Sequence, residues 1–211
     1  MVHQSIARIG RLGLVGALLA GSILALRPAL VVRAATITVT VTSDDNTVNG
    51  NCTLREAIRA ANLDQAVDAC PAGNGADIIS LPAGTYVLAL VGTGENSAAT
   101  GDLDIKDDLT ISGAGKTSTV IYGNGLDRVF DIYGPTQISD VTIAGGNSGT
   151  ESGGGIRVSG ELTLTNSRVS DNTTNAGGGG VNVYSTSSRL TVIEGITFFS
   201  SLFPFFPQII G

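Results

Sequence analysis

Histidine is nearly missing from this chain, its single copy being His3, and tryptophan is absent altogether. Imidazole is the side chain that titrates near neutral pH and the commonest metal ligand. A chain that loses its first residues therefore has no Ser-His-Asp triad, no Cys-His pair and no zinc-histidine site. With only 5% aromatic residues, a sugar-stacking platform would rely on Tyr86, Tyr122, Tyr133 or Tyr184. Cysteine is scarce too: Cys52 and Cys70 have no third Cys or His to complete a metal site, so outside a reducing compartment their pairing as a disulfide is the default.

Long hydrophobic runs are confined to the start. A weakly basic opening with Arg8 and Arg11, an apolar run Leu12 to Leu26 and the small-residue site Val32-Arg33-Ala34 read as a Sec-type signal over residues 1–34. The rival reading is an uncleaved anchor, but the run is short for a span of roughly 20 residues and Arg27-Pro28 interrupts it. Removing the segment takes Arg8, Arg11, Arg27 and Arg33, leaving eight of twelve basic residues against 18 acidic, a net charge of −10. That balance argues against nucleic acid as a partner. The expected location is secreted or cell-surface, with membrane contact only through the signal segment or the tail.

Thr36 to Thr42 alternates Thr with β-branched apolar residues, the period-two signature of a strand with one buried face. Thr53-Leu54-Arg55-Glu56 is a capping box, with Thr53 and Glu56 as the helix cap. Leu54, Ala57, Ile58 and Ala61 then fall on one helical face, which predicts Arg55, Glu56 and Arg59 on the water side. Asn62 lands back on the apolar stripe and reads as the fraying end of the helix unless it is partnered. Residues 35–76 thus form an N-terminal cap.

From Asp77 the chain becomes short strand-like runs between turns: Ile78 to Leu81, Tyr86 to Leu90, Leu109 to Ser112, Thr119 to Tyr122, Arg128 to Ile132, Ile138 to Ile143, Ile156 to Val158, Leu162 to Thr165 and Val181 to Tyr184. Gly153-Gly154-Gly155-Ile156-Arg157-Val158 returns as Gly178-Gly179-Gly180-Val181-Asn182-Val183, and the interval from Gly153 to Gly178 lies in the range of stacked solenoids. Asn166, Ser167, Asp171 and Asn172 sit where turn ladders can stack. A β-sandwich uses similar short strands; the repeat favours the solenoid. The expected fold is all-β, a right-handed parallel β-helix with an N-terminal strand and a short amphipathic capping helix, its coils over 77–192. Residues 193–211 break the pattern: Phe198 to Gly211 hold five of the six phenylalanines, which reads as a truncation or a change of reading frame.

Cys52-Thr53-Leu54-Arg55-Glu56-Ala57-Ile58, then Ala60-Ala61-Asn62, Gly75-Ala76-Asp77 and Leu81-Pro82-Ala83-Gly84-Thr85-Tyr86 resemble the start of the CSLREA-domain family of bacterial exported proteins, with Thr53 where the motif has Ser. The resemblance covers roughly residues 36 to 90 and implies a cap on a right-handed parallel β-helix. The Gly-Gly-Gly-Ile and Gly-Gly-Gly-Val repeats, with Val169-Ser170-Asp171-Asn172 between them, are also similar to the repeats of polymorphic outer-membrane proteins. Such families imply surface display, adhesion or an unassigned extracellular role, and bring no catalytic residues; the partner is not readable from the sequence, a host or environmental glycan or a surface protein being the candidates.

Catalysis on such a scaffold needs converging carboxylates, or calcium with a basic residue. The candidates are Asp104, Asp107, Asp108, Asp131 and Asp140, with Lys106, Arg128 and Arg157 as partners. The Gly-His-Gly step of galacturonan hydrolases is missing, and Asp107-Asp108 reads as a solvated turn. Asp45, Thr47, Asn49, Gly50 and Glu56 occupy calcium-loop positions, yet a strand precedes them and the capping box already explains Glu56. No cofactor is expected beyond calcium loosely held in Asp-rich turns. The expected function is an exported scaffold, a piece of a longer protein. The rivals are a carbohydrate-active enzyme, which requires a cluster of Asp or Glu with Arg or Lys on one face, and a truncated product without function.

Overall fold

The computed structural model describes residues 34–198; the segment expected as a signal, apart from its last residue, and the tail from residue 199 lie outside them. In chain order the elements are β1 (Thr36–Thr38), α1 (Leu54–Leu63), β2 (Asp77–Leu81), β3 (Gly84–Val87), β4 (Leu103–Ile105), β5 (Leu109–Gly113), β6 (Thr119–Tyr122) and β7 (Phe130–Ile132). They continue with β8 (Pro135–Ser139), β9 (Thr142–Ala144), β10 (Ile156–Val158), β11 (Glu161–Thr165), β12 (Arg168–Ser170), β13 (Val181–Val183), β14 (Arg189–Ile193) and β15 (Thr197–Phe198). The strands form three sheets, β1-β2-β5-β8-β11-β14, β13-β10-β7-β4 and β15-β12-β9-β6-β3, and every pairing between them is parallel. From β2 onward the chain visits the three sheets in strict rotation. The fold is all-β apart from the single described helix.

Register follows from the alternation of side chains. In the six-stranded sheet Ile37, Ile79, Ile111, Ile138, Leu164 and Val192 form one inward row. A one-residue slip would turn the whole row toward water. The first five of these are 0% exposed and share a single core with Leu103, Phe130 and Ile156 of the four-stranded sheet and Tyr86, Ile121 and Ile143 of the five-stranded one. The glycine repeat is realised as paired strands, Ile156 opposite Val181. Leu103, Phe130, Ile156 and Val181 align in one row, so each circuit of the chain is nearly the same length as the one before it.

The run expected as one strand over Ile138 to Ile143 is two, β8 and β9, because Asp140 adopts a left-handed φ of 59° and turns the corner. Asn166 occupies the equivalent corner one circuit on, with φ 41°, and its amide donates to Asp140 Oδ1 at 2.6 Å. Asn172 is buried deeper: Oδ1 accepts from Gly146 N and Nδ2 donates to Ile143 O.

The cap is built around α1. Thr53 accepts from Glu56 N while Glu56 Oε2 accepts from Thr53 N, the reciprocal capping box. Cys52 and Cys70 are joined and both are buried. Arg55 and Glu56, expected on the water side, are 0% and 1% exposed. The reason is that both have partners inside. Arg55 Nε and Nη2 reach the two oxygens of Asp44 at 2.6 and 3.0 Å, and Nη1 and Nη2 donate to the carbonyls of Ala98, Asp102 and Gly101. All five guanidinium donors are used. Asn62 is not a frayed end either: Nδ2 donates to Asp104 O and Oδ1 accepts from Lys106 N, so its amide acts as a strand partner for β4.

Replacing Arg55 with Lys leaves Asp44 and three buried carbonyls to one ammonium that cannot fork. Removing one partner of a buried pair costs about 3–5 kcal/mol, so Arg55→Lys and Asp44→Asn are each expected to lower the denaturation midpoint strongly, measured by urea unfolding at constant m. Cys52→Ser with Cys70→Ser is expected to cost about 3 kcal/mol through the lost loop closure, read by the same assay against the oxidised wild type, and to match the wild type once that is reduced.

Candidate functional site

The four-stranded sheet turns its middle residues outward, and in register these are Asp104, Asp131, Arg157 and Asn182. The apolar-polar-apolar triplets Leu103-Asp104-Ile105 and Phe130-Asp131-Ile132 set two carboxylates side by side. Asp102, just ahead of β4, completes a trio: one carboxylate oxygen from each of Asp102, Asp104 and Asp131 lies within 4.8 Å of the others. Their exposures are 4%, 0% and 1%, although they sit on the outer side of the strands.

What covers them is the loop leading into β4. Glu95 gathers that loop, its two oxygens accepting from the amides of Ser97, Ala99 and Thr100. Ala98, fully buried in a left-handed conformation of φ 51°, donates its amide to Asp104 Oδ2 at 2.8 Å. A strained residue facing a carboxylate cluster is the kind of outlier found at functional sites. From the other side Tyr133 bonds both Asn96 Oδ1 and Asp131 Oδ2, each at 2.9 Å.

Two arginines answer the acids. Arg157 engages both oxygens of Asp131, donates to Glu151 at 3.1 Å and stacks 5.6 Å from the Tyr184 ring centre. Arg128, itself 4% exposed, bonds Glu151, lies 3.1 Å from Asp102 Oδ2 and 3.6 Å from Asp131 Oδ2, and stands close to Asp127. Among the described residues, neither its Nε nor its Nη1 makes an aligned hydrogen bond, and Asp104 Oδ1 has no partner. Burial, with the negative charges of Asp104 and Asp127, pushes the Asp102 carboxyl up to about 8 despite Arg128. Burial raises Asp104 to about 6, with Glu95 and Asp131 adding to it and the Ala98 amide opposing. Asp127 is raised by burial as well. Burial and its bond to Asp131 raise the Tyr133 phenol to about 12. Arg157 stays charged: burial opposes its charge, and the hydrogen bond and charge of Asp131 more than offset it.

Of the sequence candidates, Asp104, Asp131, Arg128 and Arg157 converge here. Asp107 and Asp108 form the turn before β5, Asp140 is at its corner, and Lys106 is exposed beside Asn62. Asp102, Glu151 and Glu95 are not among those candidates; the repeated Leu-Asp-Ile and Phe-Asp-Ile triplets are the signal that points to this row. Among the tyrosines, Tyr86 is buried with its hydroxyl on Pro82 O, while Tyr122 and Tyr184 face solvent. The Asp45 loop spends its oxygens on itself: Asp45 Oδ1 accepts from Thr47 N, Thr47 Oγ1 and Asn49 Nδ2, and Glu56 serves the helix cap. The Thr47 amide holds Asp45 below the usual carboxylate range. A separate depression of about 480 Å³, lined by Lys116, Thr117, Val120, Thr142, Arg168 and Thr197, shares no residue with the aspartates.

Carboxyls raised in the folded state bind protons more tightly there than in the unfolded chain, so stability falls as pH rises between the two values. In chelator, the melting temperature is expected to decline from about pH 4 to pH 8, and Asp102→Asn to flatten the upper part of that decline, followed by circular dichroism. Comparison with protein-family models, curated proteins and solved structures found no match.

Proposed function

We propose that the chain is an exported right-handed parallel β-helix that serves as a scaffold for display, adhesion or glycan contact at the cell surface. The observation that carries this reading is the outer face of the six-stranded sheet. Thr110, Gln137, Thr163 and Thr191 form one row there, and Ser80, Ser112, Ser139 and Thr165 a second. Strands about 4.8 Å apart make this a regular lattice of hydroxyl and amide groups, the chemistry that meets sugar hydroxyls.

All-parallel sheets elsewhere are covered on both faces. Here each carries apolar residues into the one core, and the rotation of strands among three sheets is the pattern of a coil wound around it. The disulfide suits a chain folding outside the reducing cytosol, and the CSLREA-like motif supplies the cap. The signal over residues 1–34 supplies the route.

The carbohydrate-active enzyme remains the second reading, because Asp104, Asp131 and Arg157 do stand together on one face of successive strands. Against it, these carboxylates are closed under the loop before β4. Turnover on pectins and other glycans, lost in Asp131→Asn, would establish that reading in place of the first.

The scaffold reading is tested on a glycan array with the full chain and the Thr110→Ala/Gln137→Ala variant. Saturable binding that drops at least tenfold in the variant, with unchanged melting, is the expected result. Binding that ignores the variant, or no binding together with retention in the cytoplasm, overturns it.

A further inference from the structure

We propose that Asp102, Asp104 and Asp131 bind a divalent cation of the calcium class beneath the loop that leads into β4. Two oxygens on opposite sides of a calcium ion at 2.3–2.6 Å are at most about 5 Å apart, and the three carboxylate oxygens lie within 4.8 Å of one another. They therefore fit one coordination sphere.

The acidic cluster alone would not suffice, and two further observations point to a ligand. Asp104 is fully buried, and its Oδ1 has no hydrogen-bond partner among the described residues. A buried carboxylate oxygen left unpaired costs free energy that a cation returns. The second observation is charge. Arg128 and Arg157 pair with Asp102, Asp127, Asp131 and Glu151, while Asp104 has Lys106 as its nearby positive charge and Glu95 as a further negative one. If ionised, the group carries a surplus of three negative charges, and neither guanidinium reaches Asp104. Arg128 supplies one positive charge to the trio, 3.1 Å from Asp102 Oδ2 and 3.6 Å from Asp131 Oδ2, with its Nε and Nη1 not aligned with any acceptor among the described residues.

The loop's construction has the same logic. Ala98 is held in the left-handed region while its amide orients Asp104 Oδ2 and its carbonyl takes Arg55. This leaves Oδ1 unclaimed by the loop. Hard oxygen donors without nitrogen or sulfur select calcium over transition metals. The competing occupant is a proton on the raised carboxyls, and pH 8.5 removes much of that competition.

Calcium chloride is titrated into the chelator-treated full chain at pH 8.5, following melting, and terbium emission is read on tyrosine excitation. With no tryptophan in the chain, Tyr133, bonded to Asp131, is the sensitiser. Calcium at a hundredfold its Kd is expected to raise the melting temperature by roughly 5–10 °C. Asp104→Asn is expected to weaken calcium at least tenfold, and Tyr133→Phe to abolish terbium emission read at saturating terbium. If Asp104→Asn does not fold, the terbium comparison decides alone. No melting shift at millimolar calcium, an equal shift in Asp104→Asn, or emission surviving in Tyr133→Phe each overturns the proposal.

Discussion

The buried guanidinium of Arg55 is the interaction on which the arrangement of cap, loop and sheet depends. It has five donors, and each finds an acceptor: two on Asp44 and three on backbone carbonyls between Ala98 and Asp102. Asp44 in turn accepts the amides of Ala89 and Leu90 just past β3. One ion pair thus joins the strand-to-helix connection, the exit of β3 and the approach to β4. A charge with no water around it is tolerable only when every donor is met. That requirement fixes the path of the loop over the aspartates.

Much of this was legible from the chain. The capping box, the cysteine pair and most strands follow from local chemistry, and the repeat of Gly153 to Val158 at Gly178 to Val183 fixes a strand register that the structure contains. What failed did so for physical reasons. A helical wheel sorts Arg55 and Glu56 by polarity and sends them to water, because it cannot see Asp44 or the carbonyls of Ala98, Gly101 and Asp102, which lie far along the chain. Asn62 looked like an end because its partners belong to β4. The corner at Asp140 was missed because a single aspartate between strand formers carries no mark of its left-handed φ.

The aspartate row shows the same limit from the functional side. Asp104, Asp131, Arg128 and Arg157 are visible as charged residues, yet only parallel stacking one circuit apart brings them together. Three-residue strands such as Leu103–Ile105 carry too short a period for alternation to declare itself. Once the row is aligned, the logic is plain. Equivalent positions on successive strands hold acid, acid, base and amide, so the sheet places opposite charges next to each other except where Asp104 and Asp131 meet. At that pair the neutralising group has to come from elsewhere.

The nearly constant length of chain between aligned strands of the four-stranded sheet, from Leu103 to Phe130, to Ile156 and to Val181, also bears on how the chain finds its structure. Loop-closure entropy grows only with the logarithm of length, so each strand added there faces almost the same search whichever circuit it belongs to. The edge it must find has been laid down by the segment just before it, and the chain leaving the ribosome supplies segments in that order. Once Arg55 has met the carbonyls between Ala98 and Asp102, assembly can run as a zipper, each finished circuit serving as the template for the next.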